Sequence, residues 1–132
     1  MKNLLILILL TMSTMLSAQC YECTGDTFNF PLSSADLNVI NTTDADKCFI
    51  NTYASSEDVT DFQYASWTNT SFITRGMGVI NIMQVFKIRS NQQIHIDGRV
   101  HFDNLAMLSK NGETPARIII EANSNVTVEN IG

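Results

Sequence analysis

His95, Asp97, His101 and Asp103 alternate through one short stretch of the chain. On a straight strand all four side chains point to the same side, with Cα atoms two residues apart lying about 6.5–7 Å from each other. Imidazole and carboxylate groups are suitable donors for a divalent cation. Arg99 stands in the middle of the row, repels a cation, and has neighbours that splay rather than converge. The favoured reading is therefore a solvated outer face, with no metal site. With only two histidines, both on that face, a Ser–His or Cys–His nucleophilic pair has few ways to form, and no catalytic residue is assigned.

The other chemical signals are weaker. Cys20-Tyr21-Glu22-Cys23 has C-x-x-C spacing, but Thr24-Gly25-Asp26 signals a turn rather than the helix start that stabilises a redox thiolate. Covalent haem would need His at position 24, and zinc would need a fourth ligand. The third cysteine, Cys48, makes a structural bridge the better expectation, from either Cys23 or Cys20. Gly76-Met77-Gly78 precedes a strand and lacks a third glycine at Asn81, so it does not form a dinucleotide loop. Asp44-Ala45-Asp46 lacks the glycine and terminal glutamate of a calcium loop. No cofactor is expected.

Tyr53, Phe62, Tyr64, Trp67 and Phe72 cluster in mid-chain. They have two readings. They can form the core of an N-terminal half otherwise short of large apolar groups, or Tyr64 and Trp67 can form an exposed platform that stacks on sugar rings or on a partner protein.

The elements that carry these groups are strands. Ile94, Ile96, Gly98, Val100 and Phe102 alternate with polar residues over ten positions. A two-residue hairpin at Asp97-Gly98 would put Arg99 opposite Ile96 and mix the faces. A continuous strand, bent at Gly98, keeps them clean and is the favoured reading; a three-residue loop is the other way to do so. Val79–Ile88 is apolar on both faces and predicts a strand buried on two sides. Ile118-Ile119-Ile120 and Val126-Thr127-Val128 add two more strands. Leu105–Leu108 fits a strand or a helical turn, and Leu32–Ile40 is a weak helix candidate.

The chain has 132 residues and a net charge of −5. An acidic balance disfavours a nucleic-acid partner. Residues 1–18 have the order of a cleavable signal peptide: Lys2, then an apolar run from Leu4 to Leu10, then Leu16-Ser17-Ala18. Seven apolar residues are too few to span a bilayer, and no later segment is long enough, so no membrane span is expected after cleavage. Gln19 before Cys20 argues against lipidation of that cysteine. Residues 19–74 carry a net −7 and residues 75–132 a net +1; the two parts are read as one domain, the first stapled by the disulfide and the second rich in strands. The fold class is mainly β, either a short parallel β-solenoid or a β-sandwich.

Ser17-Ala18-Gln19 at the cleavage point, followed by Ile94-x-Ile96-Asp97-Gly98-x-Val100-x-Phe102-x-Asn104 and the run from Arg117 to Asn130, resembles secreted surface proteins of the Bacteroidetes built on β-solenoid repeats. Such families include adhesins, surface-layer proteins and polysaccharide lyases. The resemblance covers residues 79–132 and transfers no catalytic residue. It implies a secreted or cell-surface, non-catalytic adhesion or structural module whose partner is an extracellular protein or polysaccharide surface. The alternatives are a carbohydrate-binding module or a fragment of a polysaccharide-acting β-helix enzyme. At about 24 residues per rung the clear region offers barely two, where solenoids need about three.

Overall fold

The computed structural model describes Cys23, residues 25–63 and residues 67–132. Residues 1–18, Cys20 and Tyr64 lie outside the described residues. Among the described residues nine strands and one helix follow in the order β1 (Asp26–Asn29), α1 (Ser34–Thr42), β2 (Lys47–Asn51), β3 (Glu57–Val59), β4 (Asn69–Thr74), β5 (Ile80–Arg89), β6 (Gln93–Asp97), β7 (Arg99–Leu108), β8 (Arg117–Ile120) and β9 (Asn125–Ile131). Sheet A runs β1-β2-β4-β6-β8 and sheet B runs β3-β5-β7-β9. Every pairing is parallel. The chain alternates between the sheets, which makes a parallel β-solenoid of about four turns and not a sandwich of hairpins.

The register defines the rungs. Asp26, Lys47, Thr70, Ile94 and Ile118 share one ladder, at steps of 21, 23, 24 and 24 residues. Two positions on, Phe28, Phe49, Phe72 and Ile96 stack up the interior. Phe49 is fully buried, with ring centroids 5.7 Å from Phe28 and 5.5 Å from Phe72, both near-parallel. From sheet B, Val59, Ile82, Phe102 and Val128 meet this stack as one ladder. Apolar side chains at equal positions of successive rungs bury each other, which is why one rung cannot fold alone.

Four rungs exceed the two that the alternation implied, because β1 to β4 hide their period. Lys47, Asn51, Thr70 and Thr74 fill buried positions where a hydropathy pattern expects apolar residues. The strand through Gly98 is neither a hairpin nor uninterrupted. It turns a corner there, so β6 lies in sheet A and β7 in sheet B, with Ile94, Ile96, Val100 and Phe102 all buried. Leu105–Leu108 extends β7 as strand. β5 departs from the two-sided burial expected of it: Ile80, Ile82, Phe86 and Ile88 are buried, while Met83 and Val85 are exposed. An irregularity between Ile82 and Val85 shifts the register by one residue, since 82 pairs with 102 and 85 with 104.

The helix caps the first rung. Its start is set by Ser33, whose hydroxyl accepts from the Asp36 N–H at 3.0 Å while the Asp36 carboxylate accepts from the Ser33 N–H at 3.0 Å. Ile40 is fully buried in the core, and Leu32 and Leu37 pack against it. Cys23 and Cys48 are joined by a disulfide, so the sequence's open choice falls on Cys23.

Candidate functional site

The corner at Gly98 separates the four residues that a straight strand would align. His95 and Asp97 lie on β6 of sheet A, and His101 and Asp103 on β7 of sheet B. On sheet A the His95 ring nitrogen Nε2 is 2.6 Å from Glu121 Oε1, and the Asp97 carboxylate accepts from Arg75 Nη2 at 2.9 Å. Arg99, which would have sat among the four, instead donates from Nη1 to the Met77 carbonyl at 3.2 Å. The single four-residue face expected from alternation is therefore two unrelated groups.

Sheet B assembles a different set. Asp58, Asn81, His101 and Thr127 share one ladder. Asn81 Nδ2 donates to Asp58 Oδ1 at 3.0 Å, and His101 Nδ1 lies 2.6 Å from Thr127 Oγ1. His101 Nε2 is 3.2 Å from Asp103 Oδ1 and 3.5 Å from Glu129 Oε1. Ligand atoms of His101, Asp103 and Glu129 all lie within 4.8 Å of one another. Chemically this trio is an ion-pair cluster when the imidazole is protonated, and its donor types suit a divalent cation. Glu129 and Thr127 escaped the sequence reading because they stand one rung away. Adding the 26-residue step of β7 to β9 to Asp103 and His101 finds both.

These ladders give the two sheets unlike outer faces. The sheet B row is polar and solvent-facing around Asp58, Asp103, Thr127 and Glu129. On sheet A the positions next to the inward Phe49 and Phe72 are Cys48, Ile50, Ser71 and Ile73; Ile50 is half-buried and the other three are buried.

Trp67 is 2% exposed and belongs to the core, which removes it from a ligand platform. Its ring packs on Phe49 and edge-on to Phe62, 5.8 and 5.6 Å away, and Nε1 donates to the Thr43 carbonyl at 3.2 Å. The first half needs those rings inside, because few other large apolar groups are available there. Tyr64, its proposed companion, lies outside the described residues. Among the described members of the aromatic cluster, Tyr53 is the exposed one.

Lys47 is fully buried. Its ammonium donates to Ala45 O at 2.6 Å, Thr43 Oγ1 at 2.8 Å and Thr43 O at 3.2 Å, stands 3.8 Å from the Asp26 carboxylate, and sits 5.6 Å from the Trp67 ring centroid. Burial pushes its pKa below the ordinary lysine value, partly offset by Asp26, Asp44 and Asp46. All three of its donor protons are used, so it acts as a structural tie between the α1–β2 loop and the interior.

A disulfide persists in oxidising compartments and not in the reducing cytosol. Among the described residues no helix is long and apolar enough to cross a membrane. No family model matches the chain, and no curated protein or solved structure is significantly similar to it.

Proposed function

We propose that this chain is a secreted, non-catalytic surface module that adheres to, or builds, an extracellular protein or polysaccharide layer. The observation that carries this reading is the outer face of sheet B. There Asp58, Asn81, His101 and Thr127 form a straight row of polar side chains fixed by hydrogen bonds along the row. Parallel strands repeat at about 4.8 Å, so the row presents evenly spaced donors and acceptors on a rigid scaffold. A rigid polar row suits repeated contacts along a polymer or across a protein surface. Ordered side chains lose little further entropy on binding. The disulfide supports the extracellular setting, and the leader-like residues 1–18 supply a route out of the cell.

The test follows the full-length gene product in its host. Fractionation is expected to recover a chain shortened after Ala18 outside the cytosol, and the purified product is expected to be retained on extracellular polysaccharide or surface protein without degrading it. Replacing Asn81 and Thr127 with arginine places bulk in the row and is expected to abolish retention while the far-ultraviolet dichroism stays unchanged. A cytosolic chain with its leader intact, or release of cleaved saccharide, refutes the proposal. The second result would favour the polysaccharide-acting enzyme instead.

A further inference from the structure

Sheet B begins one rung later than sheet A, because the chain between β1 and β2 is α1 rather than a second strand. β3 is therefore an edge. In a parallel ladder each residue directs both main-chain polar groups to one side, and the next residue directs its own to the other. The Glu57 N–H donates to Val79 O at 2.9 Å, towards β5. The main-chain N–H and C=O of Asp58 thus face away from β5, and no described residue hydrogen-bonds to them.

A little farther along, the same edge is closed. Asn41 of α1 donates to Asp61 O at 3.0 Å and accepts from the Gln63 N–H at 2.9 Å, as a neighbouring strand would. The closure stops there. Beside the open stretch lies a groove of about 200 Å³ between β3 and the start of α1. Phe30, Leu37, Val59 and Phe62 supply its apolar surface, and Glu57, Asp58 and Asp61 its carboxylates.

We infer that this groove binds an extended, cationic segment of another polypeptide, which adds to β3 as the missing first strand of sheet B. An unpaired strand edge is a template for main-chain pairing, and the neighbouring pockets read the side chains. Charge selects the occupant. Three carboxylates border the groove, and its lining contains no Lys or Arg. Residues 19–74 are net −7, so a copy of this acidic segment is repelled from the same edge. A segment alternating apolar residues with lysine or arginine matches both the apolar floor and the acidic rim. This inference goes beyond the reading given to the broad face of sheet B, with which it shares Asp58, and the peptide variants test it without altering that face.

The experiment uses the purified, disulfide-bonded chain and a fluorescein-labelled peptide of sequence valine-lysine-valine-lysine-valine. Saturable anisotropy is expected, together with shifts of the Asp58 and Thr60 amide signals in ¹H–¹⁵N spectra. Three changes are each expected to weaken binding by about tenfold or more: glutamate for lysine in the peptide, N-methylation of the peptide backbone, and the double substitution Asp58→Lys with Asp61→Lys. The peptide changes leave the protein intact, so a folding defect in the variant does not decide the outcome. The inference is overturned if no binding occurs up to about 1 mM. It is equally overturned if the glutamate or N-methylated peptide binds as well as the parent, or if the shifts fall elsewhere on the acidic surface.

Discussion

Replacing Gly98 with alanine tests the solenoid corner directly. Gly98 has φ +129°, a conformation that residues with a Cβ rarely adopt. A Cβ there would lie 2.6 Å from the Thr74 carbonyl oxygen and 2.8 Å from its nitrogen, and would overlap Thr74 Oγ1. Thr74 occupies the corner of the rung below, where its hydroxyl accepts the Arg99 N–H. Backbone strain of this kind costs of order 1–3 kcal/mol. Displacing a packed neighbour adds about 1–3 kcal/mol. The sum is about 2–6 kcal/mol, a large part of the 5–15 kcal/mol typical of a domain. Gly112 is the control: its φ is +84°, but nothing lies within 4 Å of an added Cβ. Gly112→Ala is expected to cost only the backbone part, about 1–2 kcal/mol. Thermal unfolding of the oxidised proteins, followed by far-ultraviolet dichroism, is expected to show a drop for Gly98→Ala of roughly 10–30 °C, at about 5 °C per kcal/mol. Adding Thr74→Ala is not expected to restore stability, because two of the overlaps are with Thr74 main chain. A Gly98→Ala protein as stable as the Gly112→Ala control would refute the corner and favour a smooth strand through Gly98.

Phe49→Ala removes a fully buried ring that touches Phe28, Phe62, Trp67 and Phe72; urea denaturation should report a loss of about 3–5 kcal/mol. Replacing both Cys23 and Cys48 with serine opens a loop of 25 residues and is expected to cost about 3 kcal/mol by the same assay. Lys47 should make stability rise with pH on the alkaline side. Its folded-state pKa lies below the ordinary value of 10.5, so between the two values the unfolded chain holds the proton more tightly and raising the pH favours the fold. Urea midpoints at pH 7 and pH 10 should therefore shift in favour of the parent relative to Lys47→Met; a difference independent of pH would contradict the buried placement.

The second half of the chain declared its architecture chiefly through residues 94–102, where apolar and polar residues separate cleanly. Ile94, Ile96, Val100 and Phe102 are buried as the alternation requires, and β6 and β7 lie in different sheets, so no hairpin forms at Gly98. The sequence did not reveal the change of sheet, because a corner in a solenoid preserves the inward alternation on both sides of it. In the first half, β2 reads Lys-Cys-Phe-Ile-Asn and four of its five residues are buried. Its polar members are satisfied by loop carbonyls: Lys47 by those of Thr43 and Ala45, and Asn51 by that of Ser55 at 3.1 Å. A hydropathy period cannot register such positions, because the partners come from turns and not from the strand itself. Candidate sites were legible only within a strand. His101 and Asp103 are two residues apart and stand out together in the sequence, whereas Glu129 joins them across a rung. The groove beside β3 needs Leu37, Phe30 and Val59 brought together by α1, which no local spacing announces.

The Cys23–Cys48 bridge also has a mechanical consequence. Tension applied at the N-terminal end enters at Cys23 and passes through sulfur to Cys48 in β2, bypassing β1 and α1. A segment 25 residues long, roughly 85 Å of contour at about 3.4 Å per residue, is withheld from extension while the bond lasts. A chain tethered at that end would first yield at β2 and the rungs beyond it. Reduction would release the withheld length and move the point of rupture back to β1.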